Sequence, residues 1–263
     1  MKAFGLALGP GALLGAAHIG VLQVLESEGL FPSFVTGNSM GAIVGALYVG
    51  GMTPDWIAEK INDLNELKMY DVRLARSGVL GGKRIQELIR QLTDDKSADE
   101  CHIPFGCLAV DIDKGELIEL TKGKLHTIAR ASSSIPGMFT PVMMEDRRLV
   151  DGGVLVGVPG ELCRKLGATT VIGVDVGTPE PASAVKSSMM ITLRSFFLCQ
   201  NSLHKLQPNG CDLVIRPVVH DRPMLRFVGA QETITRGREA AQRAMPEIKK
   251  LLAAQESEAC AAE

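Results

Sequence analysis

The chain reads as an α/β protein with three layers, helices on both faces of a mainly parallel central sheet. Three observations predict this. Short apolar runs alternate with stretches of helical spacing along most of the 263 residues. The apolar runs break at glycine-bearing turns, as at Gly9-Pro10-Gly11, Thr36-Gly37-Asn38 and Asp151-Gly152-Gly153. Hydrophobic residues make up 46% of the chain and charged residues 22%, enough to cover both faces of a sheet with one large core. Alternation of this kind builds right-handed βαβ units.

Taken in order, residues 4–8 predict a first buried strand, ended by Gly9-Pro10-Gly11. Ala17, Val21, Leu22 and Leu25 then keep helical spacing over 12–25, with Gly29 as the stop. A second strand enters Gly37-Asn38-Ser39-Met40-Gly41 and continues as a helix closed by Gly50-Gly51. Thr53-Pro54 opens the next helix, Thr as cap and Pro at the first helical position. Residues 67–82 have the least periodicity and read as a surface excursion beside a substrate entrance. A short helix over 85–92 follows, then a hairpin of 105–112 and 117–120 turning at Asp113-Lys114-Gly115. Helices are expected at 125–132, 161–166, 188–206 and 231–254, and strands at 143–150, 171–176 and 213–215. No repeat or linker divides the chain, so one domain over 1–263 is expected. Its informative motifs lie within about 5–240, and a disordered tail follows residue 254.

Composition removes several functions. A formal net charge of −2 and the lack of any Lys/Arg-rich run argue against nucleic acid as a partner. The six cysteines form no CxxC pair, which fits a reducing, cytoplasmic setting. The first residues run straight into a glycine loop with no leader pattern, and no stretch of about 18 apolar residues occurs. Contact with a membrane is therefore expected to be peripheral. No metal or cofactor is expected, and nothing specifies an oligomer.

The chemistry centres on Ser39. Gly37-x-Ser39-x-Gly41 between a strand and a helix is the pattern of a nucleophile elbow. Glycines at 37 and 41 permit a tight bend, and Asn38 sits between the first of them and the serine. A serine nucleophile needs a base and an oxyanion site. None of His18, His102, His126, His204 and His220 suits the order Ser, acid, His; His220, followed by Asp221, comes nearest. Asp151, ending an apolar strand ahead of Gly152 and Gly153, is the alternative base. The oxyanion candidates are N–H groups of the first loop, at Gly11 and Ala12, with Met40 after the nucleophile. A dinucleotide site fails on spacing, since the third glycine arrives one residue late and no ribose-binding acid follows the second strand.

Five ordered stretches together resemble the patatin-like phospholipase family: the first loop with Ala17-His18-Ile19-Gly20, Gly37-Asn38-Ser39-Met40-Gly41, Ala131-Ser132-Ser133-Ser134-Ile135-Pro136-Gly137, Asp151-Gly152-Gly153 and Cys211-Asp212-Leu213-Val214-Ile215. The resemblance implies a modified α/β-hydrolase-like fold and a serine lipid acyl hydrolase, of phospholipase A, lysophospholipase or carboxylesterase type. Ser39 would be its nucleophile and Asp151 its base, acting through an acyl-enzyme without metal or histidine. His18 would be structural. The chain departs from the family's glycine triplet and following basic residue, having Pro10, Gly11, Ala12, Leu13, Leu14 and Gly15 there. Pro10 has no N–H to give, and Leu14 carries no charge. The departure motivates two alternatives: a lipid- or partner-binding pseudoenzyme with an impaired oxyanion hole, and an acyltransferase using the same pair. Apolar lining for the acyl chain is expected from 67–82 and from Met189, Phe196 and Phe197.

Overall fold

Alternation along the first strand, β1 (Gly5–Leu8), sets the layers. Leu6 and Leu8 point into the larger apolar core, while Ala7 belongs to a second, smaller cluster with Val158, Cys163 and Val171 on the opposite face. Both faces are thus covered, as the apolar strand sequence requires. The computed structural model describes residues 3–63, 72–75, 78–177, 188–207, 209–219 and 229–262.

After a 3-10 turn at Ala12–Ala16 come α1 (Ala17–Ser27), β2 (Phe34–Gly37), α2 (Met40–Val49) and α3 (Pro54–Asp63). Thr53 caps α3 as its sequence suggests, its Oγ1 accepting from the Trp56 N–H at 3.3 Å. The 67–82 stretch is not wholly irregular. It contains a hairpin, β3 (Val72–Ala75) with β4 (Gly78–Leu80), and 67–71 and 76–77 lie outside the described residues. Next are α4 (Lys83–Leu92), β5 (Phe105–Asp111), β6 (Glu116–Leu120) and α5 (Leu125–Ser132). The chain continues through β7 (Val142–Met144), β8 (Arg147–Asp151), α6 (Gly160–Lys165), β9 (Val171–Val174) and α7 (Ser188–Leu206). It ends with β10 (Leu213–Ile215) and α8 (Ala230–Ala262). The last helix runs on past residue 254, where the sequence reading placed a tail.

The sheet order is β10-β9-β1-β2-β5-β8-β7, with β6 also on β5. The strands β10, β9, β1, β2 and β5 are parallel, and β6, β8 and β7 run antiparallel to their neighbours. One detail of register positions the site. Cys107 of β5 pairs with Gly37 of β2 on one edge and Leu120 of β6 on the other. Two residues on, Ala109 pairs with Ile118 of β6 and with Asp151 of β8. So β2 and β8 share one edge of β5, end to end. Being parallel and antiparallel to β5, they point their C-terminal ends at each other.

Among the described residues no helix is long and apolar enough to cross a membrane.

Candidate active site

Ser39 leaves β2 in a conformation that its residue type rarely adopts, with φ 56 and ψ −121, and caps α2. Such backbone costs of order 1–3 kcal/mol and persists only where surroundings enforce it. The enforcement is visible at both flanking glycines. A Cβ at Gly37 would stand 2.3 Å from the Gly41 carbonyl oxygen, and one at Gly41 would stand 2.2 Å from that of Leu8. Neither place has room for a side chain, so the elbow read from the sequence is sterically dictated.

Asp151 ends β8 directly opposite. Its N–H donates to the Ser134 carbonyl at 3.0 Å, and its Oδ1 accepts from the Gly153 N–H at 2.7 Å. Gly152 packs against Asn38, since a Cβ there would lie 2.4 Å from the Asn38 Oδ1. Asn38 in turn donates through Nδ2 to the Val156 carbonyl at 2.6 Å, tying the elbow to the turn after Asp151. Burial pushes the Asp151 carboxyl up to about 7; hydrogen bonds from Ser39 and from the Gly153 N–H, and the charge of Arg130, pull it the other way. A carboxylate with that affinity for protons is a far better base at neutral pH than an exposed one.

The Ser132-Ser133-Ser134 turn braces both halves. Ser132 Oγ accepts the Ser39 N–H at 3.1 Å, while the Ser134 carbonyl holds Asp151. Arg130, 2% exposed, secures that turn from below, donating to Ser134 Oγ at 2.5 Å, to the Gly81 carbonyl at 3.0 Å and to the Thr140 carbonyl at 2.9 Å. The sequence assigns this turn no task, because Arg130 lies in a helix of mixed composition and the carbonyls it meets are brought to it by the fold.

The loop of Gly11 and Ala12 lines the larger of two cavities together with Ser39. Among the described residues, the N–H groups of Gly11, Ala12 and Met40 have no backbone acceptor. Ala12 sits at φ 47, where glycine is the comfortable residue. His18 holds the loop, its ring Nε2 donating to the Gly9 carbonyl at 2.8 Å. Burial pushes its pKa down to about 4, so the ring is neutral, and its Nδ1 has no partner among the described residues. Leu14, 1% exposed, is core.

Two cavities open from Ser39. One, of about 170 Å3, is apolar and runs between α2, α3 and α4, with Ile43, Leu47, Trp56, Ile85 and Leu88 on its walls. The other, the polar cavity of about 790 Å3, has mixed walls, with Gln200, Asn201, His204, Lys205 and Arg216 beside Phe196 and Phe197. The α7 phenylalanines line a cavity beside Ser39 that they share with polar groups. Phe196 and Phe197 face the polar cavity, the smaller apolar one draws on α2 to α4, and the Met189 side chain lies outside the described residues. The cause is the periodicity of α7, which turns Gln200, Asn201 and His204 to the same side as Phe197. His204 Nε2 donates to the Gly153 carbonyl at 3.0 Å, beside the turn that holds Asp151. His220 lies outside the described residues. No group of three or more His, Cys, Asp or Glu able to hold a metal occurs among the described residues.

A strained serine after a parallel strand thus stands beside a buried acid, with two cavities opening from it. Residues 6–162 match the model of the patatin-like phospholipases, and the chain belongs to that family. It is 35% identical over 189 residues to a patatin-like phospholipase domain-containing protein of Caenorhabditis elegans, covering 68% of this chain and 14% of the worm protein. It is 30% identical over 189 residues to an uncharacterized NTE family protein of Mycobacterium bovis, covering 71% of this chain and 52% of the other. The chain thus spans about half or less of these relatives. The crystal structure of VipD from Legionella pneumophila has the same fold, with a TM-score of 0.67 at 12% identity over 94% of this chain and 67% of VipD.

Proposed function

We propose that the protein is a serine lipid acyl hydrolase that uses Ser39 as nucleophile and Asp151 as its sole base. The observation that carries the reading is the end-to-end meeting of β2 and β8 on one edge of β5, which sets the elbow serine against a buried carboxylate. In the first half-reaction Asp151 takes the Ser39 proton as Oγ attacks the ester carbonyl. The N–H groups of Gly11, Ala12 and Met40 receive the negative charge on the carbonyl oxygen. Collapse expels the alcohol, which takes the proton from Asp151 and leaves an acyl-serine. Asp151 then deprotonates a water that attacks the acyl carbon, and Ser39 regains its proton as the fatty acid departs.

The apolar cavity takes the acyl chain and the polar cavity takes the alcohol half, which makes lysophospholipids and related single-chain esters the preferred substrates over diacyl lipids. The enzyme acts in the cytoplasm, meeting its lipid peripherally at membranes or micelles. Release of p-nitrophenol from medium-chain esters tests the mechanism: wild type turns over and Ser39→Ala does not. Equal rates remove Ser39 from it.

A second reading has one observation in its favour. Pro10 offers no N–H, and the strained Ala12 stands at the mouth of the oxyanion site, as in a binder that has lost efficient turnover. A fluorophosphonate probe separates the two. A Ser39 adduct on folded protein supports the hydrolase, and its absence supports the binder. Transfer of the acyl group to an alcohol in place of water would use the same acyl-enzyme, and product analysis with added glycerol distinguishes it.

A further inference from the structure

The turn that follows Asp151 is gripped from two sides. From the elbow, Asn38 Nδ2 donates to the carbonyls of Val156, at 2.6 Å, and Gly157, at 3.2 Å. From α7, His204 Nε2 donates to the Gly153 carbonyl at 3.0 Å. A carbonyl only accepts, so Nε2 carries the proton. Burial holds the pKa of this ring below its ordinary value, which leaves it neutral with Nδ1 bare. The ring is also seated by shape. A Cβ at Gly157 would stand 2.9 Å from the His204 Cγ and 3.1 Å from its Nδ1, so a side chain there would displace the imidazole. Gly153 is crowded in the same way, by Asp151 Oδ1 at 2.9 Å and Gln200 Nε2 at 3.1 Å from the place of a Cβ. Gln200 and His204 are one helical turn apart, so a single side of α7 closes on the turn.

The grip acts on a residue that also touches the base. Gly153 gives its N–H to Asp151 Oδ1 at 2.7 Å and offers its carbonyl to His204. A carboxylate that accepts a backbone N–H holds its proton less tightly, and this bond is among those that draw the Asp151 pKa down against burial. We propose that His204 is a positioning residue for the base: by fixing the Gly153 carbonyl it keeps the Gly153 N–H on Asp151, and so keeps the carboxylate oriented and available to Ser39 at neutral pH. The histidine then supports the acid, the reverse of a Ser-His-Asp triad, in which the acid supports the histidine. The inference rests on the hydrolase reading above. The other charged or titratable groups around Asp151 are Arg130 from α5 and Asp111, two residues beyond its pairing partner Ala109 on β5. Asp175, Lys205 and Arg216 lie in the walls of the same cavity. Substitution of His204 leaves all of them in place.

The test follows kcat/KM for an uncharged p-nitrophenyl ester from about pH 5 to about pH 9 in wild type, His204→Phe and His204→Gln. Thermal melting checks that each variant folds. Phenylalanine keeps a ring against Gly157 and removes the donor, whereas glutamine keeps an N–H near the place of Nε2 and removes the ring. Losing a hydrogen bond to the carboxylate raises its pKa. The midpoint of the profile is therefore expected to move up by about half a unit to one unit in His204→Phe, the size of one net hydrogen bond, and to stay within about 0.2 unit of wild type in His204→Gln. A residue that only lines or packs the site would lower the whole profile and leave its midpoint alone. An unmoved midpoint in His204→Phe, or equal shifts in both variants, overturns the proposal. Failure of the hydrolase reading looks different: no wild-type turnover then depends on Ser39. Asp151 is in that case read through stability. The pH at which Asp151→Asn stops gaining over its parent is expected to move up by the same amount in the His204→Phe background, and no movement there overturns the positioning role.

Discussion

The two cavities that meet at Ser39 are built on opposite plans. The apolar one is small and lined by side chains of three helices that pack on the main core, such as Ile43, Trp56 and Leu88. The polar one is larger and is walled by α7 and the turns that follow β8, β9 and β10. Ala12, Ser39 and Ile135 belong to both. Burial of apolar surface is roughly proportional to area and has no direction, about 25 cal/mol per Å2, whereas hydrogen bonds and charges are directional. Under the proposed function, chain length would be read on one wall and head group on the other, with Ser39 at their junction.

The largest effect is expected where the walls join. Ser39→Ala removes the nucleophile from either kind of substrate, and turnover falls by roughly a thousand-fold or more. Asp151→Asn does the same by removing the base, but with an opposite effect on stability. Burial raises the Asp151 pKa from 3.8 to about 7, so this group contributes stability that is full below about 3.8 and is lost as pH rises through about 7. Asparagine has no such dependence. Melting temperatures measured from pH 5 to 8 are expected to put Asp151→Asn above wild type by a margin that grows with pH and levels off past 7. A constant margin would mean that the carboxylate is not buried as described.

The pH dependence of catalysis follows from the same group with the sign reversed, because the base works only when deprotonated. For an uncharged ester, kcat/KM rises with pH through about 7. At pH 5 it is expected to stand near one hundredth of its plateau, by roughly tenfold per pH unit below the pKa. The slope belongs to the junction, so it is the same for short-chain and long-chain esters. A profile flat down to pH 5 would exclude Asp151 as the base.

How much of this was legible in the sequence follows the same boundary. The elbow could be read because its glycines at 37 and 41 are dictated within a few residues by close backbone approach. The strand-helix order was legible for a similar reason, since apolar spacing is local. The pairing of Ser39 with Asp151 needed the resemblance, because it depends on β2 and β8 sharing one edge of β5, a long-range register that no local pattern encodes. Phe196 and Phe197 signal an apolar surface in a linear reading, but the side of α7 they occupy also presents Gln200, Asn201 and His204. Arg130 and Ser132 went unassigned since a buried arginine's role depends on which carbonyls the fold brings to it, here those of Gly81 and Thr140.

Filling one cavity tests whether the walls act separately. Leu88 on α4 lines the apolar side alone, and Leu88→Trp takes up space there. Long-chain esters are expected to lose about tenfold in kcat/KM relative to short-chain ones, the discrimination a pocket gives for a methylene or two. Head-group preference is expected to stay as in wild type. Should both preferences move together, the two cavities would be one binding site in energetic terms, and the division drawn above would fail.

The smallest expected effect concerns Ala12, which lines both cavities and adopts φ 47. An L-residue with a Cβ costs about 1–2 kcal/mol in the left-handed region, and glycine escapes that cost. Glycine also frees the unfolded chain, returning about 0.4–1 kcal/mol. Ala12→Gly is therefore expected to gain between about 0 and about 1.6 kcal/mol in denaturant unfolding, the difference of the two terms. Its N–H stays where it was, so turnover with an uncharged ester is expected to change by no more than about threefold if that N–H serves the oxyanion, against roughly a hundredfold for losing such a donor. A gain in stability with a large fall in turnover would mean that the strain, not the N–H alone, sets the geometry of the oxyanion loop. The alanine would then be part of how both walls are held to Ser39.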